Sequence, residues 1–406
     1  MKREMLAAVL VFAFLIVSAS AGFAADPVYK GSKTFGPMIT GGITDEFVDM
    51  IREDPDIAAG KPLRIGKDVG DEDLKKLVPL ADMLTGLLIE RNNEITDLSP
   101  LSALVGLTYL KLDSVREVTT LAPLGALVNM KELEIRGVQY PDLDFLTGMN
   151  DLESLAFFMM PEGITDASSL KGKVKLKKLH LYGGAKGGVE DISMLADMED
   201  LEDLSLYMTS VEDLSPISGL TKMKRLSLYG IPAKDMSPVE NLAELKYIWI
   251  YATKFEDYSP LAKLTKLEEL AGGLSALDTL EYVENMPKLK EISMLREEID
   301  DYSPLAKCPE LTKVSFESMK GAPIDLSVFS EHKKLVNLFV RGSEVKNAPA
   351  VAALPKLEWL ILIDTTGIED VSVFKDLPKL KRVSVKEGQF PDEQIEALGD
   401  KAQVQK

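Results

Sequence analysis

One six-residue phrase, apolar-x-x-apolar-x-apolar, returns fourteen times between Leu84 and Val385. It opens as Leu84-Thr-Gly-Leu87-Leu-Ile89 and recurs from Leu107, Met130, Leu152, Leu176, Leu201, Met223, Leu245, Leu267, Leu289, Leu311, Leu335, Leu357 and Leu380, at intervals of 22 to 25 residues. A unit that short cannot bury its own apolar face, so neighbours must stack and share one core. The chain is therefore expected to be an α/β solenoid of about fourteen repeats.

The alternating end of each phrase, as in Leu226-Ser-Leu228 or Ile248-Trp-Ile250, has the two-residue period of a strand with one buried face. One short strand per unit stacks into a parallel sheet. A second phrase lies between the strands: Asp97-Leu-Ser-Pro100-Leu, Asp213-Leu-Ser-Pro216-Ile, Asp235-Met-Ser-Pro238-Val, Asp257-Tyr-Ser-Pro260-Leu and Asp301-Tyr-Ser-Pro304-Leu, with Pro123 and Pro349 in weaker copies. Proline fixes its own φ and cannot donate to a ladder, so the chain leaves the sheet there and turns back along the convex side.

These residues resemble the leucine-rich repeat proteins, and the 22-residue period with Asp-x-Ser-Pro-Leu is most similar to the internalin-type branch of bacterial surface and secreted proteins. The resemblance implies a leucine-rich repeat horseshoe with its parallel sheet on the concave face and a protein or peptide partner. The family's asparagine after the strand survives as Asn92, whereas the aligned positions carry Thr209, Ile231, Thr253, Glu297 and Ser343. Threonine, serine or water must then satisfy those turns.

Four segments follow from composition. Lys2-Arg3, the apolar run Leu6 to Val17 and small residues up to Ala25 form a secretory signal peptide, residues 1–25, with an apolar run too short to span a bilayer. Residues 26–83 hold two helix-like stretches, Thr44 to Glu53 and Asp71 to Met83, expected to form a short helical N-terminal cap. Residues 84–387 are the solenoid, and 388–406 a tail with a helix from Asp392 to Leu398. The mature chain is expected to be a monomer without a transmembrane segment, either periplasmic or extracellular at the cell surface.

The single cysteine, Cys308, occupies the place of Leu264 in the equivalent repeat and reads as a core residue; one cysteine allows no internal disulfide. A net charge of −18 argues against nucleic-acid binding. His180 and His332 lie far apart, no His/Cys/carboxylate cluster has metal-ligand spacing, and no serine sits in a nucleophile elbow. No enzyme, metal or cofactor is expected.

Function must be sought on the residues between the apolar positions. One position past the last apolar residue, five successive repeats carry Phe158, Tyr182, Tyr207, Tyr229 and Tyr251, although the chain has only 11 tyrosines. Tyr247 and Trp249, in the repeat of Tyr251, should widen the end of this ladder, and His180 and Arg225 lie in the adjoining columns. Phe158, His180, Tyr182, Tyr207, Arg225, Tyr229, Tyr247, Trp249 and Tyr251 are thus the candidate ligand-binding residues. Rigid rings offer contact area at low entropy cost, while stacked aromatics on neighbouring strands also stabilise their own sheet. A non-enzymatic recognition protein binding a protein or peptide fits best. A glycan-binding protein using the ladder and a structural envelope or surface protein are the alternatives.

Four more features bear on the surface. Gly183-Gly-Ala-Lys-Gly-Gly188 lacks the ending of a phosphate loop and is expected as a flexible lip beside Tyr182. Phe339, Trp359, Ile361 and Ile363 are expected to lie under the tail after Phe390, with a partner site as the alternative. Gly272 and Gly273 interrupt the pattern through a bulge, a close backbone approach or repeat decay. Lysines before the phrase (Lys175, Lys222, Lys266, Lys288, Lys334, Lys356, Lys379) and acids past it should give the two flanks opposite sign.

Overall fold

The computed structural model describes residues 27–30, 36–184 and 187–405; the expected leader lies outside them. All fourteen phrases fold as strands of one sheet, from Gly86–Glu90 to Arg382–Lys386, each paired parallel to the next. The register repeats without slippage, as in Leu204↔Leu226↔Ile248↔Leu270. The phrase's apolar residues, such as Leu226, Leu228 and Ile248, are fully buried in one continuous core. A one-residue slip would turn every one of them outward, and this holds the register.

The sheet has 18 strands, four more than the phrases provide. Val28–Lys30 and Met38–Thr40 form an antiparallel pair, Leu63–Ile65 runs parallel to the first phrase strand, and Ala402–Gln405 adds a parallel strand after the last. Leu63–Ile65 is a degenerate unit: its two alternating residues pair with Leu87 and Ile89, but Gly60 stands where the leading apolar residue would be. The segment read as a cap therefore also extends the sheet. Its helices are α1 (Asp45–Glu53), with Thr44 accepting the Phe47 N–H at its start, α2 (Pro55–Ala58) and α3 (Asp71–Lys75). In the tail, α4 spans Asp392–Leu398 as expected.

The returns are short 3-10 turns, and their aspartates cap them. The Asp213 carboxylate accepts the backbone N–H and hydroxyl of Ser215 at 2.7 and 2.9 Å, and Asp191, Asp235, Asp257 and Asp301 repeat the arrangement. These acids terminate a backbone turn, and the serine that follows supplies both donors. On the other flank Lys175, Lys222 and Lys334 pair with Asp151, Asp200 and Glu310 of the preceding repeat at 2.5 to 2.6 Å, and Lys266 pairs with Glu244. Four of the seven lysines of that edge are thus compensated, because repeats stacked a strand apart bring lysine and acid together, whereas Lys288, Lys356 and Lys379 form no ion pair among the described residues.

After the strand, the chain turns through a left-handed residue in most repeats, including Arg91, Ser114, Met159, Met208 and Ala252. Asn92 then donates to the carbonyls of Gly66 and Val69 and accepts from the N–H groups of Glu94 and Ile95. Elsewhere the satisfaction is piecemeal. Thr365 donates to the Val340 carbonyl, and Ser343 donates to Arg341 and accepts from Met319. Glu297, 1% exposed, accepts from the backbone and hydroxyl of Ser275, and burial pushes its carboxyl up. The buried Thr209 hydroxyl has no hydrogen-bond partner among the described residues.

Cys308 and His332 occupy equivalent core positions. Burial pushes the Cys308 thiol up to about 12. It pushes the His332 imidazole down, and the Nε2 of His332 lies 3.1 Å from the Leu305 carbonyl. A third polar residue holds this position: Lys173 is 0% exposed and its amine has no hydrogen-bond partner among the described residues.

Candidate functional site

The outward positions of the phrase project from the sheet in three columns, because alternate residues of a strand point to opposite faces and the parallel register aligns them. The third column brings Tyr182, Tyr207, Tyr229 and Tyr251 onto four adjacent strands in direct register. Tyr182 and Tyr207 stack at 5.1 Å between ring centroids and Tyr207 and Tyr229 at 4.3 Å, with interplanar angles of 25° and 17°. Tyr229 and Tyr251 are looser, at 6.2 Å and 30°. Phe158 meets Tyr182 edge-on at 4.8 Å and carries the Arg136 guanidinium over its other side at 4.6 Å. Arg136 precedes Phe158 in the same column, so the column extends one residue further than its aromatic members.

The nine candidates form two groups. His180 joins the ladder, stacked 6.0 Å from Tyr182, with its Nε2 3.0 Å from Asp203. Arg225, Tyr247 and Trp249 make a separate cluster across the sheet: the Arg225 guanidinium lies 4.7 Å from the Tyr247 ring centre, and Tyr247 stacks at 6.2 Å on Trp249. Between the groups the second column carries only Ser205 and Ser227. Ser205 is buried and Ser227 half-buried, so only small side chains separate the phenol rings from the second group.

At the ladder's end the indole N–H of Trp249 donates to Glu269 on the next strand at 2.7 Å. Trp249 is in register with Ala271, and Tyr251 with Gly273. Ala271 is only 3% exposed, and a Cβ at Gly273 would stand 3.1 Å from Tyr251 Cδ1 and 2.7 Å from Leu295 Cβ. The glycine thus marks a close approach. Pairing runs through it without a bulge.

Packing shifts the phenols' acidity. Burial pushes the Tyr251 hydroxyl up to about 12, helped by the negative charges of Glu269 and Glu317. Burial also raises Tyr207, with the neighbouring Tyr229 hydroxyl adding to the shift. Both stay protonated near neutral pH and can donate a hydrogen bond. Neither Glu269 nor Glu317 was legible as part of the site, since each belongs to a column of mixed charge.

The second apolar cluster is not covered by the tail as expected. Gln389 donates to the carbonyls of Leu362 and Thr365, Gln394 to that of Glu369, and Phe390 enters the core. Those contacts close the solenoid's end and leave Phe339, Trp359, Ile361 and Ile363 half-buried on the sheet face, with Arg382 lying 4.8 Å from the Trp359 ring centre. In the glycine-rich segment Gly184 and Gly187 form an antiparallel bridge, and the Gly183 N–H donates to the Tyr207 carbonyl at 2.8 Å. The segment is anchored to the next repeat at its base.

No family model matches the sequence, and no curated protein matches it. Solved structures do. An internalin from Listeria monocytogenes aligns with a TM-score of 0.64 at 23% identity, over 85% of this chain and 97% of its own. A leucine-rich repeat protein of Leptospira interrogans gives 0.70 at 19%, over 85% and 89%. A plant peptide hormone receptor in complex with RGF2 gives 0.54 at 15%, over 89% and 64%. The fold is thereby shown to be a leucine-rich repeat solenoid of internalin-like form.

Proposed function

We propose that this chain is an exported, non-enzymatic recognition protein that binds a protein or peptide partner on the outer face of its sheet, centred on the ladder from Phe158 to Tyr251. The observation that carries this reading is the face-to-face stacking at 4.3 and 5.1 Å. Rings packed this closely spend their faces on one another. Their edges and hydroxyl groups remain for a ligand, which suits the carbonyl acceptors of an extended peptide better than the ring-stacking contact a sugar requires. The fold shared with a receptor whose structure was solved in complex with RGF2 supports the same reading.

Residues 26–83 and 388–406 serve in this proposal as caps, and the chain acts as a monomer after loss of residues 1–25. Export is checked by mass spectrometry of the secreted form, which should begin at Asp26; retention of Met1 would contradict it. Binding is checked by pull-down with the mature chain beside a variant carrying Tyr207→Ala, Tyr229→Ala and Trp249→Ala. The partner captured by the first should be lost by the second at unchanged far-UV circular dichroism. Equal capture by both would remove the ladder from the binding face.

A further inference from the structure

We infer that the Tyr251 end of the ladder takes a cationic side chain, arginine or lysine, from an extended segment of the partner. This rests on the peptide-recognition reading above and names the chemistry of one end of that ligand. Trp249 and Tyr251 lean over the strand Glu269–Gly273, whose own outward positions beyond Glu269 hold only Ala271 and Gly273. Ala271 and Gly273 are buried under this packing while Trp249 and Tyr251 stay half-buried, so a guanidinium or ammonium group can lie against the exposed part of a ring, and electron-rich faces attract such cations.

The charges around this floor fit the same ligand. Glu269 holds the Trp249 indole, and Glu317 continues the outward column of Tyr251 beyond Gly273 and Leu295. The lysines nearby are already engaged: Lys246 and Lys290 pair with Glu268, at 3.1 and 2.6 Å, and Lys313 with Glu291 at 3.1 Å. Arg341 is in register with Glu317 yet forms no ion pair with it. Glu269 is held only by the Trp249 indole among the described residues. Two carboxylates at this end of the ladder therefore lack a cation of their own, in a chain of net charge −18 whose field draws positive ligands. At the ladder's opposite end Arg136 lies 4.0 Å from Asp113, so the ladder has one end compensated and one end negative. That asymmetry orients a peptide.

The test uses the full mature chain with Trp359→Phe, which leaves Trp249 as the single tryptophan. Its emission is followed while the probe acetyl-Gly-Gly-Arg-Gly-Gly-amide is added at low salt, beside the same peptide with citrulline in place of arginine. A saturable change with the arginine peptide and none with citrulline is expected. Glu269→Gln with Glu317→Gln should weaken binding about tenfold, the loss of one charge-assisted contact, while the amide oxygen introduced at position 269 still accepts from the indole. Equal response to citrulline, undiminished binding by the double variant, or no saturation with either peptide would overturn the inference. The two readings fail separately: a partner lost by the Tyr207/Tyr229/Trp249 variant but retained at every salt concentration by the double glutamine variant would keep the ladder and remove the cation.

Discussion

Replacing Lys173 by methionine should stabilise this protein at neutral pH. Lys173 stands where neighbouring repeats place Met149, Met198 and Leu220, with its side chain wholly buried and its amine without an acceptor among the described residues. An unsatisfied polar group removed from water costs about 1–3 kcal/mol in protein mutational data. Methionine fills the same unbranched volume less one heavy atom, and the small void left offsets up to about 1 kcal/mol. A net gain of about 1–2 kcal/mol follows at pH 7. The pH dependence is a sharper test. Burial holds the amine below its ordinary value of 10.5, so the unfolded chain binds a proton more readily than the folded one. Stability contributed by this site then rises with pH and is complete only above the unfolded-state value. Urea melts followed by far-UV circular dichroism at pH 7 and pH 9.5 should show the variant's advantage shrinking at the higher pH. A variant less stable than the natural chain at pH 7, or an advantage unchanged at pH 9.5, would refute the reasoning.

Gly273→Ala puts a Cβ 2.7 Å from Leu295 Cβ and 2.9 Å from its carbonyl oxygen, so it should destabilise by about 1–3 kcal/mol and alter the near-UV signal of the displaced Tyr251, measured by urea melts and circular dichroism. Asn92→Ala abandons two carbonyls and two N–H groups at the first turns and should cost about 2–4 kcal/mol, read as faster hydrogen exchange at Glu94 and Ile95 than in the natural chain. The Asp257 and Asp301 carboxyls are held below the usual range by hydrogen bonds from Ser259 and Ser303. Their capping contribution is present above the ordinary carboxylate value and fades as pH falls through the depressed one, so Asp257→Ala with Asp301→Ala should flatten the acid limb of the stability curve below about pH 4.

The repeat and the aromatic column were readable along the chain because both depend on spacing. Fourteen phrases became fourteen strands since a strand with two buried alternate residues has one way to face the core. Tyr182, Tyr207, Tyr229 and Tyr251 fell into line because the parallel register preserves position. The strands Leu63–Ile65 and Ala402–Gln405 were not readable. A segment this short is extended only because a neighbouring strand offers unpaired backbone groups.

Composition and period thus determined by themselves the solenoid, its core, and which side chains face outward, for these follow from local periodicity and burial. The tertiary structure alone decided what those side chains do to one another. It paired four lysines of one edge with acids of the preceding repeat, placed the Lys173 amine in the core with no partner among the described residues, and left the Trp359 cluster half-buried beside a tail that closes the solenoid's end. It also stacked the tyrosine faces together and laid Trp249 and Tyr251 over a strand with almost no side chains, next to the Glu269 carboxylate that accepts from the indole. Ring orientation and charge pairing depend on distances between residues a full repeat apart in the chain, and only the stacking of one repeat on the next sets those distances.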